Sequence, residues 1–197
     1  MKKQLSFVSA IMAFMILVAF TPINGADGFY RIDTKKSTIE WEGSKITGKS
    51  HTGTVILKEG GLQIADGKIS GGKFTIDMTS INVTDLEGGM KGKLEGHLKN
   101  DDFFATDKFK TANLAILSVD GDNIKANLTI KEKTHEVEFP AKVVINADGS
   151  LKATATIEVD RSKYDVRYGS DSFFDNLGDK AINDIIKFKV LLVGKAS

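Results

Sequence analysis

Few side chains in this sequence have the type and spacing that chemistry requires. His97 is the most suggestive single residue, because an imidazole titrates near neutral pH and can act as general acid or base. A lone histidine is more often a helix residue that bonds a neighbouring loop. His51 and His135 share no ligand spacing with it, cysteine is absent, and no His/Cys/carboxylate cluster has metal-ligand form. Asp101-Asp102 could be read as an acid–base pair, but adjacent residues on a turn rarely converge on one substrate atom, and capping is the commoner role. No Gly-x-Ser-x-Gly elbow occurs, and the Gly-Gly pairs lack a phosphate-loop context. No catalytic residue, metal or cofactor is therefore expected. Arg161, Lys163 and Arg167 surround Tyr164 and Tyr168. Arginine forks match phosphate oxygens, so this cluster could hold a phosphate, or it could pair with the nearby Asp160, Asp165 and Asp171.

The remaining candidates are apolar. Phe103-Phe104 and Phe173-Phe174 are paired aromatics beside polar residues. Each pair could line a cavity entrance or simply plug one. Trp41, Phe74, Ile76 and Met78 fit the inward face of strands. Met90, Leu94, His97 and Leu98 fall on one face at helical spacing.

Most of the chain after Asp27 that must position these groups alternates with period two. Thr38-Ile39-Glu40-Trp41-Glu42 and Ile124-Lys125-Ala126-Asn127-Leu128-Thr129-Ile130 are examples. Such alternation puts apolar groups on one face of a sheet and polar groups on the other. Asp66-Gly67, Asp120-Gly121 and Asp148-Gly149 read as hairpin turns, and Glu59-Gly60-Gly61 as a fourth. The strands expected are 29–33, 37–46, 52–58, 61–65, 68–79, 111–119, 123–131, 135–146, 151–160 and 184–194. One short helix is expected within 89–100, weakened by Gly92 and Gly96. A long irregular segment fills 160–184, and loops of that length are usually functional or mobile. Many hairpin-linked strands must stack as two sheets or close as a barrel, and alternation alone does not choose.

Composition bounds the rest. The chain has 197 residues, 41% hydrophobic, which suffices for a real core. Lys2 and Lys3 are two of the 27 basic residues, so the remainder is near neutral against 26 acidic ones. A near-neutral domain has no broad field for nucleic acid. Residues 1–26 read as a secretory signal: Lys2 and Lys3, an apolar run from Leu5 to Phe20, Pro22, then Gly25 and Ala26 as small residues for cleavage. The expected organisation is a signal over 1–26 and one domain over 27–197, exported to the periplasm or secreted.

Gly96-His97-Leu98-Lys99-Asn100-Asp101-Asp102-Phe103-Phe104 resembles a motif of the YceI-like family of exported polyisoprenoid-binding proteins. Matching pieces occur in order: Tyr30-Arg31-Ile32-Asp33, Ser37-Thr38-Ile39-Glu40-Trp41, Asp107-Lys108-Phe109, Leu128-Thr129-Ile130-Lys131, Thr134-His135-Glu136-Val137, Asp160-Arg161-Ser162-Lys163-Tyr164 and Gly178-Asp179. Ala105 stands where the family often has an acidic residue, Asp165 where a Gly often follows the aromatic, and the 160–184 segment is longer than in compact members. The resemblance implies an all-β, lipocalin-like antiparallel β-barrel of about eight strands with one short helix at a barrel end. It implies a long-chain isoprenoid lipid, a quinone or polyprenyl phosphate, bound inside and no catalysis. Such a protein could touch a membrane transiently and could form a homodimer. The ligand-binding residues expected are Trp41, Phe74, Ile76, Met90, Leu94, His97, Phe103, Phe104, Arg161, Tyr164, Arg167, Phe173 and Phe174. The lipid tail is expected to pass between the 89–104 segment and the 160–184 loop. The alternatives are a non-catalytic, stress-related envelope protein whose barrel is filled by side chains, and an enzyme acting on a lipid head group.

Overall fold

Period-two alternation is realised almost throughout. The structure, a computed structural model, describes residues 27–197, so the expected signal over 1–26 lies outside the described residues. Among the described residues nine strands form: β1 (Gly28–Ile32), β2 (Thr38–Ser44), β3 (Ser50–Ala65), β4 (Lys68–Val83), β5 (Thr111–Asp120), β6 (Asn123–Ile130), β7 (Lys133–Ile145), β8 (Ser150–Asp160) and β9 (Ile185–Ala196). One α-helix among the described residues, α1 (Gly88–Lys99), follows β4, and two short 3-10 turns, Arg161–Tyr164 and Gly178–Lys180, lie between β8 and β9. All pairings are antiparallel and the sheet closes on itself. Both β1 and β2 pair with β3 on one side and β9 on the other, so they share one stave. The barrel therefore has eight staves built from nine strands.

The two ends of the barrel differ. One end carries short turns: Asp66-Gly67, Gly121-Asp122 and the 146–149 turn. At Asp66-Gly67 both residues have positive φ, 51° and 70°, the backbone of a tight hairpin whose twist matches its strands. The other end carries every long connection. There lie the 45–49 hairpin, the 84–110 segment with α1, and the 161–184 segment. A further turn at this end, Lys131-Glu132, has φ of 48° and 61° without any glycine. Left-handed backbone costs a non-glycine residue roughly 1–2 kcal/mol, so this turn is held by its surroundings.

The structure corrects the expectation of a turn at Glu59-Gly60-Gly61. The stretches 52–58 and 61–65 belong to the single strand β3, which shifts register against β4 between Leu57 and Glu59. The extra residue is a bulge. It brings Gly60 inward, where a Cβ would stand 2.5 Å from the ring of Phe74, and leaves Gly61 outward, where a Cβ would stand 2.1 Å from Phe29. These glycines admit aromatic rings against the backbone; a glycine pair inside a strand can mark a bulge as readily as a turn. Strand β4 also runs on to Val83, beyond the expected 79.

Inward residues such as Ile39, Leu57, Leu62, Ile124, Leu128, Leu151 and Ile157 form the buried interior. Two inward glycines make opposite demands. A Cβ at Gly53 would meet Asn82 O at 2.1 Å and the Trp41 ring at 2.4 Å, whereas one at Gly43 would meet nothing within 4 Å. Gly53→Ala should therefore cost about 1–3 kcal/mol through overpacking. Gly43→Ala should change stability by less than about 0.5 kcal/mol. Urea midpoints of the two variants check this, and equal midpoints would refute it.

Candidate functional site

Eight staves leave an interior wide enough for side chains or for one small ligand. Here the inward side chains do not fill it. A cavity of about 410 Å³ runs from the loop-bearing end, at Lys45, Lys49 and His51, down to Leu62, Ile69, Ile116 and Ile124 near the short-turn end. Its walls are aromatic and aliphatic, with Trp41, Phe74, Ile76, Met78, Phe139 and Phe188 among them. Small residues keep it open, notably Ala112, Ala141, Ala153 and Ala155. Trp41 keeps its indole satisfied by donating Nε1–H to Thr54 O at 3.2 Å.

A lid covers much of the loop-bearing end. From α1 come Leu94, His97 and Leu98; Phe103 and Phe104 follow in the next turn. The helix is fastened to β4, where Glu95 Oε1 accepts the Val83 amide at 2.9 Å and Lys91 Nζ donates to Asn82 Oδ1 at 2.9 Å. The second half of the lid is the 161–184 segment, organised around Arg161. This side chain is 1% exposed. Its guanidinium donates to four carbonyls, those of Val166, Tyr168, Ile182 and Asn183, at 2.8–3.2 Å. It also pairs with Asp184 Oδ1 at 3.1 Å and lies 5.4 Å from the Phe103 ring centroid. A guanidinium has five N–H groups, and here all have acceptors close by.

The two halves of the lid are locked together. Lys131 Nζ donates to Phe103 O at 3.1 Å and to Asp165 O at 2.7 Å. Burial holds this ammonium below the ordinary lysine pKa, partly countered by Asp165. His97 packs against Tyr168, ring centroids 4.2 Å apart, and against Phe103 at 5.6 Å. The expected passage between 89–104 and 160–184 is therefore closed. The cavity instead reaches exposed residues between α1 and the 45–49 hairpin, where Gly43 leaves open space. That is its mouth.

Of the residues expected to bind ligand, the structure brings Trp41, Phe74, Ile76, Leu94, His97, Phe103, Phe104 and Arg161 to the cavity. Arg161 serves there as the internal brace of the lid, with its donors committed. The others lie elsewhere. Met90 is 67% exposed, because only the second half of α1 lies over the barrel. Tyr164 is buried behind the wall against His135, 5.2 Å between ring centroids. Arg167 pairs with Asp165 on the surface and stacks on exposed Phe173. Phe174 borders a separate surface hollow with Asp101, Asp102, Lys131 and Lys180. Asp165 has φ 60°, a left-handed backbone that glycine adopts without steric cost.

Sequence reasoning missed Lys45, Lys49, His51 and Asn183 at the mouth. Counting by twos from Trp41 reaches Gly43 and Lys45, so the signal was present. His51 Nδ1 is 2.8 Å from Asp85 Oδ2, and the Thr52 amide donates to Asp85 Oδ1 at 3.0 Å. Burial raises the Asp85 pKa, but these bonds outweigh it and hold the carboxyl below its ordinary value. Among the described residues no group of His, Cys and carboxylates could hold a metal ion.

Comparison with known proteins agrees with this architecture. The YceI-like domain matches residues 30–193. A polyisoprenoid binding domain from Saccharophagus degradans, implicated in plant cell wall breakdown, superposes with a TM-score of 0.65 at 16% identity, over 85% of this chain and 98% of its own. BcnA from Burkholderia cenocepacia gives 0.61 at 18% identity, over 82% and 98% respectively. No curated protein is similar enough in sequence to match.

Removing the brace tests the lid. Arg161→Ala leaves buried carbonyls and Asp184 without their partner, and breaking such a pair costs about 3–5 kcal/mol. Trypsin should then cut after Lys163, Arg167 or Lys180 under conditions where the parent and Arg167→Ala stay intact; equal resistance would refute the bracing role. Tyr164 gives a second test. Its hydroxyl is buried without a hydrogen-bond partner, and burial, then Asp160, pushes its pKa up to about 12. A raised folded pKa stabilises fully below the unfolded value near 10 and is lost as pH rises towards 12. Ultraviolet titration should show one late tyrosinate step that Tyr164→Phe abolishes without loss of stability below pH 10. Persistence of that step would assign it to another residue.

Proposed function

The chain belongs to the YceI-like family, and from that membership we propose that it sequesters or carries a long-chain isoprenoid lipid inside its barrel. The observation that carries this reading is the cavity: about 410 Å³ of apolar space with one mouth at the loop-bearing end. Ligand sites typically have about 300–1,000 Å³ and mostly apolar walls, so the space has the size and chemistry of a binding site. Each CH2 buried there contributes ~0.8 kcal/mol, offset in part by the ordering of a flexible chain. A tail of several isoprene units needs no polar contact to bind well. The cavity also weighs against a barrel whose interior is filled by side chains. Membership of a binding family supports a binding role rather than an enzymatic one, and the commitment of Arg161 to the lid is in keeping with it.

Export to the periplasm or beyond completes the proposal. It rests on the Lys2-Lys3 start, the apolar run and the Gly25-Ala26 exit. A water-filled compartment is where a prenyl chain needs a carrier, because its own solubility there is small. Transient contact with the membrane that supplies the lipid fits a mouth flanked by exposed Ile46.

Native mass spectrometry of protein purified from its own host tests both parts at once. The polypeptide mass should correspond to a chain beginning at Ala26 or Asp27, with an additional mass that organic extraction releases as a prenyl lipid. A chain retaining its first residues would contradict export. An extract free of prenyl lipid from an otherwise folded protein would contradict the ligand.

A further inference from the structure

The ionisable side chains that line the cavity are all of one kind. They are Lys45, Lys49, His51, His97 and Arg161, and no carboxylate lines it. The chain has 27 basic and 26 acidic residues, so composition does not account for this bias. Arg161 is committed to the lid, which leaves the mouth as the place where the charge is free.

The mouth hairpin concentrates it. Lys45 N donates to Lys49 O at 2.8 Å, so the two lysines stand directly opposite each other across the turn. The next pairs along are Ser44 with Ser50 and Gly43 with His51. Alternation puts Gly43, Lys45, Lys49 and His51 on the inner face. Like charges directly opposite on antiparallel strands repel and destabilise the pair. Neither ammonium has a carboxylate partner among the described residues. Asp85, beside the hairpin, has both oxygens engaged by His51 and the Thr52 amide. The other elements at the mouth contribute Leu94, His97, Ile182 and Asn183, none of them acidic.

We propose that the 45–49 hairpin is an oxyanion subsite, taking the phosphate or carboxylate head of an amphiphile whose tail fills the barrel. The proposal rests on the lipid reading above and narrows it from isoprenoids in general to those with an anionic head. An oxyanion between Lys45 and Lys49 converts a repulsive pair into two charge-assisted hydrogen bonds. It does so beside an apolar wall, where the local dielectric is lower than in water. A neutral head gains nothing from this arrangement.

Three probes decide it, measured by calorimetry on the protein freed of lipid: geranylgeranyl diphosphate, geranylgeraniol and inorganic pyrophosphate. In low salt the diphosphate should bind about tenfold more tightly than geranylgeraniol, and added salt should shrink the gap. The Lys45→Gln/Lys49→Gln variant should lose the gap and keep its affinity for geranylgeraniol. Because the substitutions remove a repulsion on an exposed hairpin, the variant should fold at least as stably as the parent. Equal affinities in the parent, or a gap that survives in the variant, would overturn the subsite alone. Pyrophosphate binding as tightly as the diphosphate lipid would also overturn it, by making the hairpin a site for free phosphate. If geranylgeraniol itself does not bind, the lipid reading fails.

Discussion

Closure of the sheet is the constraint on which everything else depends. β9 bonds to β2 from Glu42↔Lys187 to Thr38↔Leu191 and to β1 from Ile32↔Gly194 to Tyr30↔Ala196. This seam turns an open nine-stranded sheet into an eight-stave barrel without exposed edges. Closure also fixes the radius, and with it the amount of interior space. Large inward residues at every position would fill that space. The alanines at 112, 141, 153 and 155, with Gly43 at the rim, leave a cavity instead. The bulge between Leu57 and Glu59 turns Gly60 inward, where its bare backbone admits the Phe74 ring.

A closed barrel can exchange a ligand only at an end, since the wall is held by ladder bonds. The loop-bearing end is divided by its polar interactions into a fixed part and an open part. Arg161 gathers four carbonyls of the 161–184 segment, and Lys131 ties that segment to the turn after α1. Both cations act on backbone carbonyls that have few other partners, so they rigidify the lid. What remains open lies beside the 45–49 hairpin, which the end of the braced segment also holds: Ile46 N donates to Ala181 O at 3.2 Å and Asn183 N to Ser44 O at 2.8 Å. Arg161 and Lys131 are committed to backbone carbonyls whereas Lys45 and Lys49 have no carboxylate partner among the described residues, so the two pairs differ in character although all four are basic.

Much of this was legible in the residue order. Period-two runs and Asp-Gly turns located the staves, because a half-buried antiparallel strand leaves a direct trace in sequence. The helix was legible from the spacing of Leu94, His97 and Leu98. Gly60-Gly61 was not, since the same dipeptide serves a turn and a bulge, and only the partner strand distinguishes them. Met90 shares the helical face but projects beyond the barrel rim, which depends on where the helix crosses and not on its own period. Arg161 and Arg167 look alike in sequence. One is sealed under four carbonyls and the other pairs with Asp165 in solvent, a difference set by residues 182–184, far along the chain. Lys45, Lys49 and His51 were legible by extending the alternation past Trp41, but a turn rich in polar residues reads as a surface feature until closure shows which face is inside.

The central claim is that an apolar tail filling the barrel supplies most of the binding free energy. Affinities for geraniol, farnesol and geranylgeraniol, with one head and three tail lengths, test it most directly. The account predicts that affinity rises with each added isoprene unit by up to ~0.8 kcal/mol per buried CH2, with a negative heat-capacity change that grows in step. Affinities independent of tail length, with the shortest alcohol binding as well as the longest, would contradict it.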